Sequence, residues 1–435
     1  MSLIGASAKN FRSTQNEEEY LLETAKKNLA LPRVSPMARI YIDEVLDYGF
    51  HNSTSPGIST RLEREFAAKF GVDYAILHSN GTATMHAALL AAGVGAGDEV
   101  IVPGLTMAST ALVAIYVNAI PVFADIDPDT FTISVEDVRR KITPRTRAII
   151  PVSIYGLSPD MDPIMELARE HHLTVIEDNA QCFLGYYKGR VVGSIGDMAS
   201  FSFQGSKHMT CGDGGILVTD NRDLADRVRR AAVLGYPTLS GEAGKGALPE
   251  DVRFHPTFAR HATIGYNFRM PEVAAAVALA DLERLDQLVE MRQISASFFD
   301  EAIGACSWIV PQATPPEYIN SYWSYAARLT DNGPDWVQFR RKFVELGGDG
   351  FYGAWLPVYR EPVFGNLSTS VERNPDRWPH YAGVLPDYRE VTCPVLDRIQ
   401  PRLIQLKTNY FDTSAACEQA EILARTIQFF SRHGS

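Results

Sequence analysis

From Tyr74 to Thr219, short apolar runs alternate with stretches whose apolar residues recur at helical spacing. Tyr74 to His78, Glu99 to Val102, Ile120 to Ala124, Ala148 to Val152, Leu173 to Ile176, Met198 to Phe203 and Ile216 to Val218 are short and almost wholly apolar. That pattern predicts strands buried on both faces. Ala83 to Ala92, Thr106 to Tyr116 and about Asp160 to His171 predict the intervening helices. Strands alternating with helices define an α/β class: a mostly parallel central sheet flanked by helices. Two helices are expected ahead of it, Ala38 to Tyr48 and Ser59 to Phe70. In the second, Leu62, Phe66 and Phe70 recur on one face.

Beyond the sheet, Asp220 to Ala232 predicts an Arg-rich helix and residues 236–262 a long Gly/Pro-interrupted loop. A helical run from Pro271 through Ala275, Ala278, Leu282 and Leu285 leads into a segment ending near Phe299. It bridges to a smaller C-terminal α+β unit with a strand over Trp323 to Arg328, a helix over Trp336 to Leu346, a loop over 361–390 and a last helix from Thr413 to Phe430. The expected organisation is an N-terminal arm over 1–30, a large domain over 31–285, and a bridging helix with a small domain over 286–435.

Composition narrows the partners. A net charge of -11 over 435 residues argues against a nucleic-acid surface. No apolar run approaches the roughly 20 residues of a membrane span. The five cysteines are widely spaced with no CxxC pair, so neither a zinc site nor a disulfide framework is expected, and a cytoplasmic location fits. Asp125, Asp127, Asp129 and Glu136 have the spacing of a calcium loop, but Thr130 stands where that loop needs glycine. No metal is expected.

Candidate chemistry gathers between Thr174 and Asp220. Asp178 ends a strongly apolar strand, where a carboxylate wants a cation; its plain alternative is a solvated turn. Lys207 lies in a loop between two strands, among Ser206, Thr210 and glycines; taken alone, a lysine is most often a surface residue. Together they suit an aromatic aldehyde cofactor, bound covalently by the lysine while the carboxylate keeps a ring nitrogen protonated. Asn80-Gly81-Thr82-Ala83 opens a helix after a strand, as an ordinary cap does. With Ser202 at another strand end, the segment also suits a phosphate. These residues predict a pyridoxal 5'-phosphate (PLP) site at the carboxyl ends of the strands.

Several ordered blocks then resemble the DegT/DnrJ/EryC1/StrS family of PLP-dependent sugar and aminocyclitol aminotransferases, which have the aspartate-aminotransferase (type I) fold. They are Gly57…Leu62-Glu63-Arg64-Glu65-Phe66, Asn80-Gly81-Thr82-Ala83, Pro151-Val152-Ser153-Ile154-Tyr155-Gly156, Ile176-Glu177-Asp178-Asn179-Ala180-Gln181, Phe201-Ser202-Phe203…Lys207…Gly212-Asp213-Gly214-Gly215, and Gly265-Tyr266-Asn267-Phe268-Arg269-Met270. The resemblance implies that Lys207 carries the cofactor and Asp178 pairs with its ring nitrogen. Gln181 meets the ring hydroxyl, while Thr82, Ala83 and Ser202 bind the phosphate. Asn267 reaches the cofactor of a neighbouring subunit, which implies a homodimer with shared sites. Met107 stands where many members place an aromatic residue against the ring. Ser153 and Tyr359 replace histidines common in the family.

The activity implied is transfer of an amino group from L-glutamate or L-glutamine to a nucleotide-linked keto-sugar or a keto-cyclitol, with pyridoxamine phosphate between the two halves. Two rivals stand beside it: a PLP-dependent dehydratase or eliminase acting on a deoxysugar, and a non-catalytic regulatory protein that retains the fold. The family's dehydratases replace the lysine with histidine, so the lysine at 207 favours transamination.

Overall fold

The computed structural model describes residues 29–50, 57–242 and 250–433. The expected N-terminal arm therefore lies, apart from its last two residues, outside the described residues. The first half of the chain runs α1 (Met37–Asp47), α2 (Ile58–Phe70), β1 (Tyr74–His78), α3 (Gly81–Ala91), β2 (Glu99–Pro103), α4 (Ser109–Tyr116), β3 (Ile120–Ala124), α5 (Val135–Lys141), β4 (Thr146–Ile149), α6 (Met161–His171), β5 (Thr174–Asp178), a small hairpin β6 (Tyr186–Tyr187) and β7 (Arg190–Val191), then β8 (Met198–Ser202) and β9 (Gly215–Thr219). The second half runs α7 (Arg222–Ala232), α8 (Glu250–Arg253), α9 (Glu272–Leu282), α10 (Leu285–Ile303), β10 (Ile309–Pro311), β11 (Tyr318–Ile319), β12 (Ser324–Leu329), α11 (Trp336–Glu345), β13 (Tyr352–Gly353), α12 (Pro362–Arg373), α13 (Pro394–Ile399), β14 (Leu403–Lys407) and α14 (Thr413–His433).

Seven strands form the central sheet in the order β1-β9-β8-β5-β4-β2-β3. The pairs β2–β3, β2–β4, β4–β5 and β5–β8 are parallel, whereas β9 is antiparallel to both β8 and β1. This single reversal decides where the chemistry falls. β5 and β8 deliver Asp178 and Ser202 to one edge of the sheet. Because β9 runs back from that same edge, the β8–β9 loop carrying Lys207 must lie there. Two antiparallel steps restore the direction of β1, which brings Asn80 to the edge as well.

The sheet is covered on both faces. Leu89, Ala114, Ile150 and Ile176 belong to one buried cluster, and Phe66, Phe70, Phe201 and Leu279 to another. Glu63 of α2 and Arg229 of α7 form a two-pronged ion pair at 2.6 and 2.7 Å. Glu63 also accepts from the Leu77 N–H at 2.9 Å. One carboxylate thus ties two helices to β1. A second sheet, β10-β12-β14-β13, has its own core of Phe299, Phe339, Phe343, Tyr325 and Leu423.

Several elements differ from the sequence expectations, which name no counterpart of α5, the β6–β7 hairpin, α13 or β14. The fourth strand covers Thr146–Ile149 rather than Ala148 to Val152, because Pro151 cannot donate to a ladder. Residues 361–390, expected as loop, contain α12, with Pro362 at its first position and Phe364, Ser368 and Val371 buried. The segment around α12 also leaves the smaller sheet. Phe364 packs edge-on against Phe123 of β3, and the Tyr388 and Tyr381 hydroxyls donate to the Pro121 and Ala119 carbonyls. The edge strand β3 is apolar and would otherwise be bare. This segment covers it.

Candidate active site

Asp178 is buried at the end of β5, where its Oδ2 accepts from the Thr110 hydroxyl at 2.8 Å and its Oδ1 from the Ala180 N–H at 3.2 Å. Thr110 is in turn 2.9 Å from Thr106 Oγ1, four residues earlier in the loop that leads into α4. No ion pair reaches the Asp178 carboxylate among the described residues. Burial pushes its pKa up, while the Thr110 and Ala180 hydrogen bonds and the charge of Lys207 pull it back. A desolvated carboxylate with two hydrogen bonds and no cation in contact is an incomplete arrangement.

Glu177, one residue earlier, points to the other face of the strand. It accepts from the Gly193, Ile195 and Gly196 N–H groups at 2.9, 2.8 and 2.7 Å. It anchors the turn before β8, so the two adjacent acids have unlike tasks.

Gln181 Oε1 accepts from the Tyr155 N–H at 2.7 Å, which fixes the side-chain amide and leaves its nitrogen as the group to offer. Tyr155 adopts φ 61°, a left-handed conformation costly for a bulky residue. Its N–H is aimed at Gln181 as a result.

At the start of α3, Asn80 Oδ1 accepts from the Ala83 N–H at 2.8 Å. That bond makes Asn80 the cap and occupies the Ala83 donor. The Thr82 and Ser202 hydroxyls and the first N–H groups of the helix are left for an anion. Ser202 and this helix start are packed together: a Cβ on Gly81 would lie 2.8 Å from Ser202 Cβ. The Ser79 N–H donates to the Phe268 carbonyl at 2.6 Å, which seats the 266–268 strip beside the turn with the Asn267 side chain exposed. Met107 is 53% exposed just before α4.

The Lys207 amine lies 4.8 Å from the centroid of the Trp323 ring. Its pKa is pushed down to about 8, chiefly by burial, with Asp178 opposing the shift and Arg292 adding to it. The loop is held by the Trp323 indole N–H donating to the Ser206 carbonyl at 3.0 Å and by Arg292. His208 is turned inward, its Nε2 2.9 Å from the Ser321 carbonyl oxygen. Burial holds its pKa well below 6.5, so it stays neutral.

The structure thus brings Asp178, Gln181, Lys207, Ser202 and Thr82 to one edge of the sheet. No hydrogen bond joins the Asn267 side chain to this group among the described residues. Sequence reasoning missed Thr110, Arg292 and Trp323. Only the i, i+4 pair Thr106/Thr110 left a signal, two hydroxyls on one face of the expected helix. Tyr359, which stands where the family commonly has histidine, is buried, donating to Asp397 Oδ1 at 2.6 Å and accepting from the Cys393 N–H at 3.2 Å. Arg360 pairs with the same Asp397 at 2.8 Å. Two carboxylates of the calcium-like run are spent on backbone: Asp125 accepts from the Val395 and Leu396 N–H groups, and Asp127 from those of Asp129 and Thr130.

A buried carboxylate lacking a cation, a lysine with a depressed pKa and a hydroxyl-lined helix start fit the ring nitrogen, aldehyde and phosphate of PLP. With the seven-stranded sheet they define the class of type I PLP-dependent aminotransferases. The chain belongs to the DegT/DnrJ/EryC1/StrS aminotransferase family, which it matches over residues 39–403. It is 37% identical over 346 residues to the GDP-perosamine synthase of Caulobacter vibrioides, covering 79% of this chain and 88% of that one. It is 36% identical over 344 residues to the L-glutamine:2-deoxy-scyllo-inosose aminotransferase of Micromonospora echinospora, covering 77% and 80%. The aminotransferase from Psychrobacter cryohalolentis superposes with a TM-score of 0.77 at 26% identity, over 93% of this chain and all of that one.

Proposed function

We propose that this chain uses PLP to transfer the amino group of L-glutamate or L-glutamine to the keto group of a nucleotide-linked sugar or a keto-cyclitol. The observation that carries the reading is the pairing of Asp178 with Lys207: an anion awaiting a cation, and an amine that can lose its proton near neutrality. The substrate class rests on the two relatives, one named for a GDP-linked amino sugar and one for a keto-cyclitol.

PLP, when bound, supplies an electron sink that makes the donor's Cα–H acidic. Asp178, oriented by Thr110, holds the proton on the ring nitrogen. Gln181 Nε2 would donate to the ring oxygen, and Thr82, Ser202 and the first α3 N–H groups would hold the phosphate, with the Asn80-bonded Ala83 N–H beside them. Lys207 Nζ removes the donor's Cα proton and, in the second half of the cycle, delivers one to the acceptor carbon. Trp323 covers one side of this amine and excludes water. Met107 lies at the rim, where a thioether can pack on a ring face.

The division into a large unit over 31–285 and a bridging helix with a smaller unit over 286–435 belongs to the same proposal. So does a homodimer in which the exposed Asn267 completes the partner's site. Among the described residues no helix is long and apolar enough to cross a membrane; a cytoplasmic location is proposed from the cysteine usage.

The test is a visible absorption spectrum of the purified protein before and after L-glutamate or L-glutamine. Bleaching of the cofactor's visible band by either donor, abolished in Lys207→Ala, is the expected result. A bound cofactor that neither donor changes favours elimination chemistry, and failure to bind PLP at all overturns the reading.

A further inference from the structure

Arg292, on α10, is buried at 5% exposure, yet no carboxylate lies within ion-pair distance among the described residues. Its guanidinium is spent on oxygens. Nη2 donates to the Ser206 and Lys207 carbonyls at 3.0 and 2.9 Å. Nη1 donates to the Trp323 carbonyl at 2.7 Å and to Thr408 Oγ1 at 3.4 Å. Thr408 itself donates to the Tyr322 and Trp323 carbonyls at 2.7 and 3.0 Å. A charge buried without a counter-ion is expensive, and burial pushes this guanidinium down to about 9. A purely structural joint would be built more cheaply from apolar side chains. What the cation achieves here is to grip the backbone of the lysine loop and the strand-leading segment that carries Trp323 from one planar fork.

We propose that Arg292 is a positioning residue for the reaction: it sets the lysine loop against Trp323 so that the Lys207 amine meets the reacting carbon, and it places a fixed positive charge beside that amine. The inference rests on Lys207 being the reacting amine, as proposed above. Lysine cannot substitute, because three donors on one nitrogen do not reproduce the fork. Glutamine removes both fork and charge. The charges acting on Lys207 are Asp178 and Arg292, and His208 beside it is neutral.

The test uses the full chain as Arg292→Gln, Arg292→Lys and Trp323→Phe, with Arg229→Gln as a control that disrupts a partly buried, ion-paired arginine away from the loop. Two measurements are made: steady-state kinetics of the loaded enzyme, giving kcat and donor KM, and the pH midpoint at which Lys207 of cofactor-free protein reacts with an amine reagent, followed on its peptide by mass spectrometry. In Arg292→Gln the midpoint is expected to rise above about 8, with kcat falling roughly 10- to 100-fold and KM changing less than about threefold. Arg292→Lys keeps the midpoint but loses kcat; Arg229→Gln lowers stability alone. Arg292 variants that match Arg229→Gln in both readouts overturn the proposal. Should Arg292→Gln not fold, Arg292→Lys and Trp323→Phe decide it through kcat, a loss in both supporting it and none overturning it. Transamination that survives in Lys207→Ala would instead sink the functional reading, while the labelling midpoint would still report on Arg292.

Discussion

The Thr110 hydroxyl donates to Asp178 Oδ2 at 2.8 Å, joining the first turn of α4 to the end of β5. Asp178 is held up by burial, and this bond works against that shift. Removing it raises the carboxylate's proton affinity further, so the acid limb of the donor half-reaction moves to higher pH. Thr110→Val is expected to show that shift with a loss of roughly tenfold, in keeping with ~1.5 kcal/mol for a hydrogen bond to a charged group. Thr110→Ser, which keeps the hydroxyl, restores most of the rate. A pH–rate profile unchanged in Thr110→Val would exclude this role.

Lys207 predicts a stability that depends on pH. Its pKa in the folded, cofactor-free protein is about 8, against an ordinary 10.5. Between those values the unfolded chain holds a proton that the folded one has released, so stability rises with pH across that window. Below it both states are protonated and the folded state bears the full cost of the buried charge. Lys207→Met is therefore more stable than the parent at pH 7, and its advantage shrinks as pH climbs past 8. Thermal melts of the two cofactor-free proteins at pH 7 and pH 10 check this; a constant difference would contradict it.

Shared sites predict complementation. A heterodimer of one Lys207→Ala subunit and one Asn267→Asp subunit contains one site with both residues intact, and recovers about half the parental activity from two impaired homodimers. If Asn267 serves its own subunit's site, mixing recovers nothing. Sedimentation of the purified protein establishes separately whether it is dimeric.

The Glu63–Arg229 pair concerns the scaffold rather than the chemistry. Glu63→Ala leaves a partly buried guanidinium without its carboxylate and strands the buried Leu77 N–H, and is expected to cost about 3 kcal/mol in denaturant unfolding. A double variant replacing both charges with apolar residues should recover much of that loss. A cost near zero for the single variant would mean that water reaches the guanidinium.

Local patterning carried far into this molecule. Six of the seven central strands were placed to within two residues of both ends, because each is short, apolar and bounded by helix-forming or turn-forming stretches. The fourth was displaced because Pro151 interrupts the regular ladder, beyond which only a single bridge joins Val152 to Asp178. Helix α12 was obscured by the prolines and asparagines around it, although Phe364 and Val371 carry its buried face.

The sequence by itself determined the alternating α/β pattern, the strand-end positions of Asp178 and Ser202, the lysine loop and the family. These depend on residue type and near-neighbour spacing, which a chain displays without folding. Tertiary structure alone decided the rest. Only the antiparallel return of β9 brings Lys207 to the edge occupied by Asp178. Only the tertiary fold brings the start of α4 to the end of β5 and gives that carboxylate its Thr110 donor across 68 residues. Arg292 meets Lys207 across 85 residues, and its partners are backbone carbonyls, which leave no mark in a sequence. The same holds for Tyr359: burial turned its hydroxyl into a bond to Asp397, because a phenol inside a core must find an acceptor.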